Sequence, residues 1–221
     1  KLHYFAGIAF DGDADRCLAV DEEGNLVDGD KIIAALAIQM KADGRLDGDA
    51  AVVTVMSNLG FFRCCEANGV KPVATKVGDR YVLEEMREHG YKIGGEQSGH
   101  IIFLDHATTG DGQLTALQFL QILSRSGKKA SELASICPSY PQVLVNVKLE
   151  NRQGLKEAVM ASPELADAIR QEEEALGGDG RVLVRASGTE PLIRVMVEAK
   201  TQEHASECAN RLASFVQTVK I

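Results

Sequence analysis

Residues 51–90 read AVVTVMSNLGFFRCCEANGVKPVATKVGDRYVLEEMREHG, and the rhythm of this stretch decides the fold. Ala51 to Met56 is a short apolar run rich in β-branched residues, the pattern of a strand covered on both faces. Ser57 and Asn58 precede a helix predicted over Gly60 to Asn68, ended by Gly69. A short strand is predicted at Val73 to Lys76. Gly78 and Asp79 then open a helix that runs to His89 and stops at Gly90. Strand, helix, strand and helix in succession predict an α/β layer structure.

The same alternation extends outward. Upstream lie predicted strands at Tyr4 to Phe10 and Cys17 to Val20. The turn DEEGN leads into Leu26 and Val27, and a helix follows from Lys31 to Ala42 with Asp30 as its N-cap. Downstream, two short strands flank the loop GGEQSGH, and Asp111 begins the helix GQLTALQFLQIL. The pattern breaks at Pro138 and Pro141, which predicts a domain boundary. Beyond it come a strand (Val143 to Leu149), a helix near Gln153 to Met160, and a helix from Glu164 to Leu176 started by Pro163. The strand pair RVLVRAS and LIRVMVEA and a last helix from Gln202 to Lys220 complete a small α+β domain with an antiparallel hairpin. Lys1 stands only a few residues before a buried strand, and so abrupt an opening predicts further residues ahead of it in the natural protein.

The chain has 221 residues, enough for one large domain or two ordinary ones, and its 45% hydrophobic and 25% charged content is that of a folded domain. The formal net charge of -8 argues against a nucleic-acid partner, which needs clustered Lys and Arg. It leaves room for a small phosphorylated substrate held by a few converging cations. No apolar run is long enough for a membrane span, and no signal peptide is recognisable. Cys17, Cys64, Cys65, Cys137 and Cys208 form no CxxC pair and sit among apolar neighbours, which reads as reduced, structural thiols of a cytoplasmic protein.

Chemistry concentrates in Phe10 to Arg16, FDGDADR. Asp11, Asp13 and Asp15 alternate with small residues that let the backbone curl. Carboxylates so close repel one another, and a divalent cation turns that repulsion into a ligand set; oxygen donors point to Mg²⁺, Mn²⁺ or Ca²⁺ rather than Zn²⁺. A solvated acidic turn is the plain alternative. An EF-hand is rejected, because Arg16 stands where its glycine is needed and strands flank the loop. Arg16 suggests an anion beyond the ion, phosphate above all. An internal salt bridge to the aspartates could coexist with that role.

Three further segments carry polar groups. In Gly94 to His100, Glu96 and Ser98 alternate and can point into one cleft, suiting vicinal sugar hydroxyls, while His100 can exchange protons near neutrality. A glycine-rich turn in water is the alternative. In Arg185 to Arg194, the hydroxyls of Ser187 and Thr189 and the backbone around Gly188 form a nest for phosphate oxygens, with Arg185 and Arg194 adding charge. A plain hairpin turn competes with that reading. Lys76 and Arg80 border a strand-to-helix turn, where Lys76 could serve as proton shuttle or phosphate partner; solvated surface charge is the alternative for both.

Taken in order, FDGDADR, TKVGDRYV, GEQSGH and RASGTEPLIRVMVE resemble the motifs of the α-D-phosphohexomutase superfamily over nearly the whole chain. Most members carry Pro where Ala186 stands, a departure that leaves the hydroxyl and Arg positions intact. The resemblance implies a four-domain plan: residues 1–22 end domain 2, 23–137 form an α/β/α layered domain 3, and 138–221 form a smaller α+β domain 4. Domain 1, most of domain 2 and the loop with the phosphorylated serine have no counterpart here. The implied activity is an isomerase-class phosphosugar mutase working through a phosphoserine and a bisphosphate intermediate. The branch acting on glucosamine 6-phosphate and glucosamine 1-phosphate, for cell-wall precursors, is the nearest likeness, and the phosphomannomutase/phosphoglucomutase branch is the next.

On that pattern Asp11, Asp13 and Asp15 hold Mg²⁺, and Arg16 stabilises the transferring group. Glu96 and Ser98 hold sugar hydroxyls. Arg185, Ser187, Gly188, Thr189 and Arg194 grip the other phosphate, and Lys76 and His100 are candidates for proton transfer. The implied partner is a phosphosugar, with no nucleic acid or membrane, and a homodimer is compatible with the full-length protein. Lacking its phosphoserine, the chain alone is expected to be inactive. It would then behave as a non-catalytic phosphosugar- or metal-binding module.

Overall fold

A computed structural model describes residues 4–150, 152 and 154–219. The strand predicted at Ala51 is β4 here (Ala50–Thr54), and every residue of it is buried. Its alternate side chains enter two different cores. Ala51 and Val53 pack with Ile33, Phe61 and Phe119, whereas Ala50 and Val52 pack with Val82 and Met86. A period-2 pattern buried on both faces reads as an unbroken apolar run, which is how a parallel strand between helical layers looks in sequence.

Around β4 the first unit, which extends to Ser139, assembles in chain order. Strands β1 (Ala6–Phe10), β2 (Cys17–Asp21) and β3 (Leu26–Val27) form an antiparallel sheet, followed by helix α1 (Gly29–Ala42). After β4 come α2 (Leu59–Ala67), β5 (Lys71–Thr75), α3 (Asp79–His89), β6 (Ile93–Gly95), β7 (Ile101–Phe103), α4 (Gly112–Ser126) and α5 (Ala130–Ala134). The second sheet has the order β5-β4-β6-β7. β5 and β6 run parallel to β4, and β7 returns antiparallel to β6. This is the expected α/β/α layering.

Several boundaries move. The strand expected at Val73 to Lys76 begins at Lys71 and leaves Lys76 outside; Pro72 is tolerated within it because β5 is an edge strand. Asp28, not Asp30, caps α1, accepting from the Lys31 N–H at 3.1 Å. Asp30 sits in the first turn, buried, and its carboxylate accepts the Asn58 N–H at 2.7 Å. It thus serves the start of α2, 28 residues away, while Asn58 caps that helix through the Gly60 N–H. Helix α5 is only five residues long, too short for a periodic signal in the sequence; at its start the Ser131 N–H and hydroxyl donate to the Glu22 carboxylate.

The second unit begins at Tyr140. It contains β8 (Gln142–Lys148), α6 (Leu155–Met160), α7 (Pro163–Leu176), β9 (Gly180–Ala186), β10 (Leu192–Ala199) and α8 (Gln202–Thr218). Its sheet is antiparallel in the order β8-β10-β9. Ile193, Val195 and Val197 of β10 meet Leu165, Leu212 and Val216 in its core. The helix limits expected at Gln153 and Lys220 lie outside the described residues. All five cysteines are buried and free, and burial pushes the Cys17 thiol up to about 11. Among the described residues no helix is long and apolar enough to cross a membrane.

Candidate functional site

The hairpin β1–β2 pairs Phe10 with Cys17, so the six residues between them form a closed loop at its end. Asp11, Asp13 and Asp15 bring carboxylate oxygens within 4.8 Å of one another. Ala14 holds them there in the left-handed conformation, φ 60, and its carbonyl accepts the Gly112 N–H at the start of α4, 2.9 Å away. The two backbones meet so closely that a Cβ at Gly112 would stand 2.5 Å from the Arg16 carbonyl oxygen.

Arg16 realises the internal salt bridge weighed above. Its Nε lies 3.2 Å from Asp11 Oδ2 and 3.6 Å from Asp15 Oδ1, and its backbone N–H donates to Asp11 Oδ1 at 3.2 Å. Burial works against the Asp11 charge. The Arg16 N–H and guanidinium outweigh it and hold the carboxyl below its usual range. Asp15 Oδ1 is buried without a hydrogen bond among the described residues. Three clustered carboxylates with a buried oxygen left over fit a hard divalent cation.

The loop after β6 docks against this hairpin. The Cys17 N–H donates to the Gly99 carbonyl at 3.0 Å, and Arg16 bridges His100. Gly99 has φ +94, and a Cβ there would lie 2.3 Å from the Cys17 carbonyl oxygen, so no other residue fits. Glu96 and Ser98 come together as expected: the Ser98 hydroxyl donates to Glu96 Oε2 at 3.4 Å, while Oε1 accepts the Gly78 N–H at 3.3 Å.

His100 is held on both ring nitrogens. It is buried, with Nδ1 3.1 Å from Asp15 Oδ2 and Nε2 accepting the Gly110 N–H at 3.0 Å. An accepting Nε2 puts the imidazole proton on Nδ1, which donates to Asp15. Both ring nitrogens are thereby engaged in holding a carboxylate of the triad. The Gly110 N–H and the Gly112 contact had no signal in the sequence beyond the GDG triplet itself. Lys76 is exposed, its ammonium 5.8 Å from the Tyr81 ring centroid. Arg80 is also exposed and pairs with Glu84 at 2.8 Å, so the surface-charge alternative describes it.

In the second unit, β9 and β10 place Arg185 directly opposite Arg194. Like charges in that position destabilise a ladder unless something compensates. Burial and the Arg194 charge both lower the Arg185 pKa. Arg194 reaches Glu190 at 3.5 Å through Nη2, but its Nε is buried with no hydrogen bond among the described residues. In the turn between the strands, the Ser187 N–H donates to the Leu192 carbonyl at 2.9 Å, and Ser187 Oγ accepts the Glu190 N–H at 3.2 Å. Ser187 is buried, so its oxygen closes the turn instead of standing open as a second exposed hydroxyl. Among the described residues the N–H groups of Gly188 and Thr189 make no hydrogen bond. Two arginines, an orphaned donor and two free amides are a set that suits an anion chemically.

Residues 28–140 match the family described as phosphoglucomutase/phosphomannomutase, alpha/beta/alpha domain III. Residues 144–215 match the C-terminal domain of the same proteins. The chain is 57% identical over 213 residues to a phosphoglucosamine mutase of Limosilactobacillus fermentum, covering 96% of this chain and 46% of that protein. It is also 57% identical over 212 residues to one of Caldicellulosiruptor bescii, covering 96% and 47%. It therefore spans about half the length of the curated relatives it matches. A solved N-acetylphosphoglucosamine mutase of Aspergillus fumigatus, in complex with GlcNAc-6P and magnesium, superimposes with a TM-score of 0.75 at 26% identity, covering 95% of this chain and 48% of that one.

Proposed function

Because the chain belongs to the phosphoglucomutase/phosphomannomutase family, we propose that it is the C-terminal half of a cytoplasmic mutase interconverting glucosamine 6-phosphate and glucosamine 1-phosphate. Residues 1–22 then end the second of four domains, 23–137 form the third and 138–221 the fourth. The observation that carries the chemistry is the carboxylate triad, in which Asp15 Oδ1 is buried without a hydrogen bond among the described residues. Identity of 57% to phosphoglucosamine mutases supports the amino-sugar substrate. The family description also covers phosphoglucose and phosphomannose substrates, which makes that the second reading.

Asp11, Asp13 and Asp15 would hold Mg²⁺. Bound there, it would neutralise charge developing on a transferring phosphoryl group, the principal demand of this reaction. Arg16, already tied to two of the aspartates, adds a fixed positive charge beside them. Glu96 and Ser98 would bind sugar hydroxyls, the Glu96 carboxylate held by the Gly78 N–H. Arg185, Gly188, Thr189 and Arg194, on a turn closed by Ser187, would grip the phosphate that is not transferring. His100 is assigned to orienting Asp15 instead of exchanging protons with the sugar, which leaves Lys76 as the candidate for proton transfer. The phosphoserine would come from the half of the relatives' length that this chain does not span.

The test is turnover by the full-length protein. Glucosamine 6-phosphate is expected to outpace glucose 1-phosphate, and the reverse order would install the second reading. The 221-residue chain alone is expected to show no mutase turnover; activity in material free of full-length enzyme would contradict the division of labour.

A further inference from the structure

Lys156, in α6, belongs to none of the motifs discussed above. Its ammonium donates to the Ser187 carbonyl at 2.7 Å and to the Glu190 carbonyl at 3.1 Å. Those carbonyls bracket Gly188 and Thr189, whose amides are free among the described residues. In a trans peptide the N–H points opposite to the C=O of the same plane, and no peptide bond among the described residues is cis. Gripping the Ser187 carbonyl therefore aims the Gly188 N–H away from the lysine. The peptide ahead of a glycine flips easily, and nothing lies within 4 Å of where a Gly188 Cβ would stand. Left alone, this plane would sample both orientations, one of which presents a carbonyl oxygen where an anion needs a donor.

We propose that Lys156 is the positioning residue of the anion-binding turn, holding the Ser187–Gly188 peptide with its N–H outward. The inference rests on the reading of that turn as a phosphate site. An ammonium carries three donors, so it can hold both carbonyls at once. Lysine suits the task because its charge strengthens each bond to a carbonyl.

The experiment titrates inorganic phosphate into the intact chain at constant ionic strength and follows the Gly188 and Thr189 amide resonances. Wild type is expected to show saturable shifts at both. Lys156→Met is expected to bind phosphate about tenfold more weakly, a loss of about 1.4 kcal/mol, while the resonances of the β8–β10–β9 sheet stay in place. Lys156→Arg, which keeps charged donors, is expected to recover most of the affinity. Should Lys156→Met lose the dispersion of a folded chain, Lys156→Gln takes its place and the same ratio decides. Wild-type affinity in the neutral variant would overturn the proposal with the phosphate site left standing. Absence of shifts in the wild type would overturn the phosphate site itself, and this inference with it.

Discussion

The acidic loop at residues 11–15 and the cationic turn at 185–194 are opposites in charge and alike in construction. Each forces like charges together: three carboxylate oxygens within 4.8 Å in one, Arg185 opposite Arg194 in the other. Each also leaves one buried polar atom without a hydrogen bond among the described residues, Asp15 Oδ1 and Arg194 Nε. The far end of the same hairpin supplies the contrast. There Arg181 stands opposite Glu198 at 2.9 Å, with the glutamate fully buried. Opposite charges in register make a structural pair, whereas Arg185 and Arg194 in register, with a donor left over, are a repulsion relieved only by the Glu190 carboxylate among the described residues. Charge sign across this β-ladder thus separates a pair that the fold satisfies from one that it leaves strained.

The strongest way to break this comparison is at the triad. Asp13→Asn in the complete enzyme is expected to lower Mg²⁺-dependent kcat by about a thousandfold or more, about 4 kcal/mol, with an unchanged far-UV spectrum. Wild-type turnover would remove the triad from the mechanism. Next in size, Arg181→Met should destabilise the second unit by about 3 kcal/mol in denaturant unfolding, because Glu198 is left buried without this cation. Arg194→Met is expected to do the reverse of Arg181→Met in kind. Phosphate affinity should fall about tenfold, roughly 1.4 kcal/mol, while stability holds or rises as the repulsion with Arg185 is relieved. A stability loss in Arg194→Met as large as that in Arg181→Met would place both ends of the hairpin in the structural class.

Local features were legible where sequence distance was short. The apolar run at Ala51 announced a strand between two layers, the D-x-D-x-D spacing announced its own crowding, and Glu96 and Ser98 met because two residues on one loop share a side. What sequence could not show depended on long-range approach. Asp28 and Asp30 are equally good caps by composition; the choice fell to Asp28 because Asn58 claims the other carboxylate. The contacts of the His100 ring come from Asp15, 85 residues away, and from the Gly110 N–H. Lys156 is an ordinary helical lysine in sequence and acquires meaning only through carbonyls more than 30 residues downstream. The sequence offers Ser187 as a phosphate hydroxyl, yet its burial and the Glu190 N–H turn its oxygen to closing the turn.

Gly99 and Gly112 touch no candidate ligand, yet the spaces where their Cβ atoms would stand lie 2.3 and 2.5 Å from carbonyl oxygens of the β1–β2 hairpin. A random-mutagenesis screen for loss of activity should therefore recover null alleles at these two codons about as readily as at the aspartates, with alanine as damaging as any bulkier replacement. Genetic intolerance in this protein would map the surfaces where two backbones touch as faithfully as it maps the chemistry.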